Sequence, residues 1–287
     1  VRINNPPKKK RHRGLLAAAV ILALIAALFL DSRFRLVTTE YTLSCSGLPQ
    51  SFDGYRVVQL SDLHMAQFGK DNARLLRLTA EQTPDIIVMT GDFLDDRTPG
   101  LDQTDRLKPF LEKLTKIAPC YFVSGNHEWA SGELDKLASL MRELGITYLR
   151  NGCTLLKRGN DSLVLEGVED PNGPRDMVKP DELAGAAAQK YPGKFRILLA
   201  HRNDMLKKYP DLPVNLVLCG HSHGGVVRLP FLGGVFGTEH DLFPKYDAGL
   251  FNEGTYDMIV SRGLGWEAPM YRFLNNPELV TVVLKKN

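Results

Sequence analysis

The sequence predicts an α/β protein of two mixed sheets packed face to face with helices outside, preceded by one N-terminal transmembrane helix. Three observations predict it. Between residues 55 and 123 apolar runs alternate with amphipathic patterns in the order β-α-β-α-β, which requires a sheet covered by helices. Beyond about residue 146 short strands dominate, and these call for a second sheet. At the N-terminus a cationic run leads directly into an apolar stretch.

Residues 1–13 form a basic tail, with Arg2, Lys8, Lys9, Lys10, Arg11 and Arg13 and no acid. Gly14 to Leu30 follows without a charge. As a helix at about 1.5 Å per residue it approaches the thickness of a bilayer core. A cleavable signal shares this layout, but the stretch after Ala27 (LFLDSRF) has no small-x-small site, so an uncleaved anchor is expected over 14–30. The cation bias places the tail in the cytoplasm and the chain after Asp31 outside. Residues 31–39 read as a linker, and 40–287 as one folded domain without repeats.

Within that domain Tyr55–Leu60, Asp85–Thr90 and Cys120–Val123 read as buried strands. Helices are expected around Asn72–Gln82, over Leu107–Ile117, where the apolar spacing marks one face, and over Gly132–Leu144. Thr147–Leu149, Thr154–Lys157 and Leu163–Val168 are further strands, and Asp181–Gln189 is a helix. Phe195–Ala200, Val214–Cys219, Met258–Ser261 and Leu279–Leu284 complete the set.

Composition narrows the function. At 44% hydrophobic and 24% charged residues the chain can bury a core. The formal charge is +3, but without the tail's six cations the remainder stands at −3, so no specific nucleic-acid binding is expected. Four cysteines in 287 residues exclude a disulfide scaffold. Cys120 and Cys219 lie in apolar runs as small hydrophobes, and Cys45 and Cys153, in more polar surroundings, are not expected to pair.

Five short segments follow strand ends: Asp62-Leu63-His64, Gly91-Asp92, Gly125-Asn126-His127-Glu128, His201, and Gly220-His221-Ser222-His223-Gly224-Gly225. Of six histidines beyond the tail, five fall in these segments and only His240 lies apart. Each segment alone is an ordinary turn; their joint occurrence carries the weight. Two carboxylates, one amide oxygen and four imidazoles form a mixed oxygen and nitrogen donor set suited to Mn²⁺, Fe or Zn²⁺. Seven donors exceed one tetrahedral ion and fit two divalent ions sharing a carboxylate.

The ordered pattern D-x-H, G-D, G-N-H-[ED], H and G-H-x-H resembles that of the calcineurin-like metallophosphoesterases, over nearly everything after residue 40. The stretches Val227-Arg-Leu-Pro-Phe-Leu-Gly, Leu242-Phe-Pro-Lys-Tyr-Asp-Ala-Gly-Leu and Ser261-Arg-Gly-Leu-Gly are similar to a bacterial, membrane-associated subgroup that includes UDP-2,3-diacylglucosamine pyrophosphatase-type enzymes. The resemblance implies a four-layer α/β/β/α sandwich. It implies one metal held by Asp62, His64 and His223, a second by Asn126, His201 and His221, Asp92 bridging them, and His127 as catalytic residue. Arg202-Asn203 stand where many relatives have a proline after the histidine, and Val226 where glutamine is frequent, departures that bear on substrate fit.

The expected reaction is hydrolysis of a phosphodiester by in-line attack of a metal-bridging hydroxide, near a membrane whose lipids the anchor contacts. Lipid-linked, nucleotide-sugar and wall-polymer diesters are the expected substrates. The donor set organises phosphorus rather than the leaving group, so a phosphomonoesterase or protein phosphatase stays open. A non-catalytic binding module would have lost ligands, and none is lost.

Overall fold

The computed structural model describes residues 8–97, 102–174, 177–266 and 271–287. Its elements begin with α1 (Lys8–Phe34), β1 (Val37–Cys45), β2 (Tyr55–Leu60), α2 (Ala73–Glu81), β3 (Ile86–Thr90), α3 (Gln103–Leu114) and β4 (Cys120–Val123). They continue with α4 (Asn126–Ser131), α5 (Leu134–Glu143), β5 (Thr147–Tyr148), β6 (Gly152–Arg158), β7 (Asp161–Gly167) and α6 (Pro180–Lys190). The last are β8 (Arg196–Leu199), α7 (Met205–Lys208), β9 (Leu216–Cys219), β10 (Arg228–Leu229), β11 (Gly233–Gly234), β12 (Gly249–Phe251), β13 (Asp257–Val260) and β14 (Glu278–Lys286).

The strands form two six-stranded mixed sheets, ordered β1-β14-β2-β3-β4-β5 and β12-β13-β9-β8-β7-β6, and β10 and β11 form a separate ribbon. In the first sheet only the β14–β2 pairing is antiparallel; in the second, β8, β9 and β13 run parallel to β7 between antiparallel edges.

Alternation along each strand builds the layers. Val57, Ile86 and Val88 face Leu165, Ile197 and Leu218 in the core between the sheets. Their neighbours Val58, Ile87 and Met89 point the other way, onto Leu75 of α2, Phe110 of α3 and Leu137 of α5. Leu198, Val217 and Met258 likewise cover the outer face of the second sheet against Leu183 of α6 and Met205 of α7. Burial on both faces explains why these strands read as continuous apolar runs. The result is the expected four-layer order, helices outside two sheets.

The structure refines several boundaries. α1 continues to Phe34 and β1 begins at Val37, so the connector is much shorter than 31–39. β1 escaped the pattern reading because its VTTEYTLSC run is half-exposed until Leu43 and forms only through parallel pairing with β14. The helix predicted over 132–144 is α5, and an unpredicted short helix, α4, precedes it and ends at Gly132, whose φ is 74°. All four cysteines are free, and Cys45 is buried rather than in polar surroundings.

Residues Arg13–Phe34 of α1 are long and apolar enough to cross a membrane, with mean hydropathy 2.5 and none of the most apolar window buried. Its end is docked on the body. Asn276 donates to the Asp31 carbonyl at 2.8 Å, the Arg33 guanidinium lies 4.5 Å over the Trp266 ring, and Phe29 meets Tyr271 edge-on at 6.0 Å.

Candidate metal centre

The two sheets meet at the ends of their parallel strands. Gln59, at the end of β2, donates across the gap to the Cys219 carbonyl of β9 at 2.9 Å and to Thr90 Oγ1 of β3 at 3.0 Å. Asp62 and His64 follow β2, Asp92 follows β3, Asn126 and His127 open α4 after β4, His201 follows β8, and His221 and His223 follow β9. Strand termini of open sheets are where such folds gather ligands.

All eight predicted residues come together. His223 Nε2 is 3.2 Å from His64 Nε2 and 3.8 Å from Asp62 Oδ1, and His64 Nε2 is 3.7 Å from Asp92 Oδ2. On the other side of Asp92, its Oδ2 is 3.0 Å from His201 Nε2, which is itself 3.2 Å from Asn126 Oδ1 and 3.1 Å from His221 Nδ1. His127 Nε2 lies 3.9 Å from Asp92 Oδ2, with its ring edge-on to His64 at 4.5 Å. Asp62, His64 and His223 form one candidate metal-holding group, and Asp92, His201 and His221 another.

The backbone is bent to achieve this. Asp62, His64, Asp92, His221 and His223 all have φ between 45° and 67°, in the left-handed region. Non-glycine residues there cost of order 1–3 kcal/mol each and concentrate at functional sites. Glycines allow the crowding: a Cβ on Gly220 would meet Asp62 Oδ2 at 2.3 Å, and one on Gly125 would meet Asp92 Oδ1 at 2.2 Å. The left-handed turn at His221 and His223 is what lets alternate residues serve two neighbouring positions.

Burial and charge tune the donors. Burial pushes His64 down to about 3 and holds His221 and His223 well below the usual imidazole range. Three imidazoles are therefore neutral with lone pairs available, the state a metal requires. Burial works against charge on His201 and Asp92 too, but their mutual attraction prevails: His201 rises to about 10 and Asp92 falls well below the carboxylate range. Burial raises Asp62 to about 6. Asp62 Oδ2 and His64 Nδ1 are buried without a hydrogen-bond partner among the described residues. The His64 and His223 ring nitrogens, aimed at each other at 3.2 Å with Asp62 Oδ1 3.8 Å from the latter, suit a shared cation, so the donor set fits divalent metal. His201 Nδ1 lies 2.8 Å from the Thr90 carbonyl, a pure acceptor, so that nitrogen carries a proton and Nε2 faces the cluster.

Several residues outside the predicted set shape the site. Glu128 is fully buried; its Oε2 accepts from the Gly125 and Asp92 N–H groups at 2.7 and 2.8 Å, and its Oε1 from Phe93 and Leu94 at 2.7 and 3.0 Å. It clamps two motif loops together. Asp96 lies against His127 Nδ1, its N–H donating to that nitrogen at 3.4 Å and its Oδ1 lying 2.8 Å away, which orients the ring. Arg202 is gripped by Asp170 at 2.7 and 3.2 Å and puts Nη1 3.0 Å from His221 Nε2. Arg202, His127, Gly237, Thr238 and His240 wall a cavity of about 320 Å³ over Asp92. Arg202, which departs from the proline common after the histidine, thus stands on this wall. Glu128 stood in a quoted motif without a role; an acid at the third position of a helix that opens on a glycine was its signal.

This geometry defines a metal-dependent phosphoester hydrolase, and the chain belongs to the calcineurin-like phosphoesterase family, whose pattern matches residues 55–225. That family implies a dinuclear divalent metal centre. Among its relatives is the uncharacterized metallophosphoesterase YkuE of Bacillus subtilis, 34% identical over 252 residues, 86% of this chain and 85% of that one. The phosphodiesterase YaeI of Escherichia coli is 30% identical over 218 residues, 74% of this chain and 75% of its own. The UDP-2,3-diacylglucosamine pyrophosphatase LpxG of Chlamydia muridarum is 26% identical over 286 residues, 81% of this chain and 85% of its own.

Proposed function

We propose that the chain is a membrane-anchored phosphodiesterase that would hold two divalent ions and hydrolyse its substrate, water attacking phosphorus in line with the departing alkoxide. The observation that carries the reading is the position of Asp92, whose carboxylate reaches His64 and His127 on one side and His201 on the other. In this reading Asp62, His64 and His223 hold one ion, Asn126, His201 and His221 the other, and Asp92 bridges. Mn²⁺, Zn²⁺ or iron would neutralise the phosphate oxygens and acidify a water.

The remaining chemistry falls to side chains. Asp96 holds His127 so that Nε2 faces the cluster, where it would donate a proton to the departing alkoxide. Arg202, fixed by Asp170 on the cavity wall, would take a second anionic group of the substrate. Relatives named as a phosphodiesterase and a UDP-2,3-diacylglucosamine pyrophosphatase favour diesters, with lipid-linked, nucleotide-sugar and wall-polymer diesters as candidate substrates. The apolar helix supports a single-pass anchor, with the basic tail cytoplasmic and the site outside.

Metal-reconstituted protein should hydrolyse bis-p-nitrophenyl phosphate faster than p-nitrophenyl phosphate. A clear preference for the monoester would overturn the diester assignment, and recovery of the protein in the soluble fraction, cut beyond residue 30, would overturn the anchor.

A further inference from the structure

Outside α1, eight large apolar side chains are exposed among the described residues, and six of them fall between residues 229 and 243: Leu229, Phe231, Leu232, Phe236, Leu242 and Phe243. A seventh, Tyr271, touches Phe29 of α1. Scattered exposed leucines mean little, but a contiguous cluster marks a contact surface. We infer that the paired hairpins of residues 228–243 form a second membrane contact, inserting shallowly into the bilayer beside α1. This rests on the anchored reading above.

Three features of the structure favour lipid as the occupant. The first is continuity with the apolar helix. Val227 bridges Phe273, and the Arg228 N–H donates to the Phe273 carbonyl at 3.0 Å, two residues from the Tyr271 that packs on α1. The second is conformation. Phe231 and Phe243 sit at φ of 68° and 53°, where bulky side chains are outliers, and Phe231 is 107% exposed. Strain that presents an aromatic ring to solvent has no folding rationale and points to a use.

The third feature is firm attachment to the site. Arg228 Nη1 reaches the Gly224 carbonyl at 2.9 Å and Asp247 Oδ2 at 2.8 Å, and Asp247 also accepts from the Gly234 N–H. The second hairpin, closed by the Phe236–Leu242 bridge, supplies Gly237, Thr238 and His240 to the wall of the cavity. Seating these tips in the interface, at a depth of about 5–10 Å as for interfacial amphipathic segments, turns the cavity mouth toward the headgroup layer. The substrate class that fits is a phosphodiester borne on an amphiphile, presented from the membrane rather than from bulk water.

The test uses the full chain in vesicles of phosphatidylcholine and phosphatidylglycerol, in a Cys153→Ser background because the other three cysteines are buried. Single environment-sensitive labels go on Phe231→Cys, on Leu22→Cys in α1, and on Lys157→Cys in the β6–β7 hairpin. Expected are quenching of the Leu22 label by deep doxyl lipids, blue-shifted emission and quenching of the Phe231 label by shallow ones, and no effect at Lys157. A Phe231 label that behaves like the Lys157 label while Leu22 is quenched overturns the hairpin contact and leaves the anchor intact. If no label is quenched, the anchored reading fails and this inference with it. A shift at Phe231 that ignores doxyl lipids and grows with protein-to-lipid ratio assigns the face to a second copy, which also overturns the proposal.

Discussion

Replacing Glu128 by glutamine changes one atom and tests whether the buried clamp holds the site together. Each carboxylate oxygen accepts two backbone N–H groups, Gly125 and Asp92 on one and Phe93 and Leu94 on the other. However the amide is turned, its NH₂ faces two N–H donors that lose their acceptor. Two buried unmatched donors at roughly 1–3 kcal/mol each destabilise the fold by about 2–6 kcal/mol. Against a total stability of about 5–15 kcal/mol, that loss is visible in any unfolding curve. The loops released carry Asp92 and Asn126, so metal affinity should fall by about 10–100-fold, as for other residues that orient ligands. Urea unfolding of chelator-treated protein, followed by titration calorimetry with Mn²⁺, measures both. A variant within about 0.5 kcal/mol of the parent, the range of inert surface changes, with unchanged metal affinity, would show the clamp to be incidental.

His127→Ala should keep its metal, measured by elemental analysis, while turnover of a chromogenic diester drops by about 10²–10⁴-fold; parental turnover would remove His127 from the reaction. Asp92→Asn should lose metal and activity together, because the amide gives up the charge that ties the two halves of the cluster. Glu166, at 3.9 Å from Arg196 and with neither oxygen in a hydrogen bond among the described residues, is pushed by burial to about 8 from an ordinary 4.5. A raised carboxyl keeps its proton in the folded state, so stability is complete below about pH 4.5 and falls toward pH 8, by at most about 1.4 kcal/mol per pH unit. Glu166→Gln should therefore melt above the parent at pH 8 and alongside it at pH 5; equal melting at both would refute the burial argument.

Most of the site was legible because its residues sit where apolar runs stop. Strand ends such as Leu60, Thr90 and Cys219 are marked by composition alone, and histidines are scarce elsewhere. What stayed hidden depends on tertiary pairing. Nothing local distinguishes Asp96 from Asp95, although Asp96 lies against His127 Nδ1. Arg202 was noticed as a departure, but its grip by Asp170 joins residues 32 apart in sequence. β1 was missed because polar threonines alternate along a half-exposed edge, and only β14 makes that segment a strand. The start of α4 at Asn126 was masked by the Gly125-Asn126 pair, which reads as a turn, and Glu128 is what closes it.

The seat of β14 between β1 and β2 has a consequence for biogenesis. Until residue 286 is synthesised, β1 and β2 flank an empty slot with unpaired edges, and the first sheet cannot zip closed. Closure of that sheet must wait for β14 to emerge, long after β1 and β2 have been made. Such late, long-range closure slows folding and exposes adhesive strands in the interim. Chains truncated before Glu278 should be cleared by proteases rather than accumulate as partial enzymes.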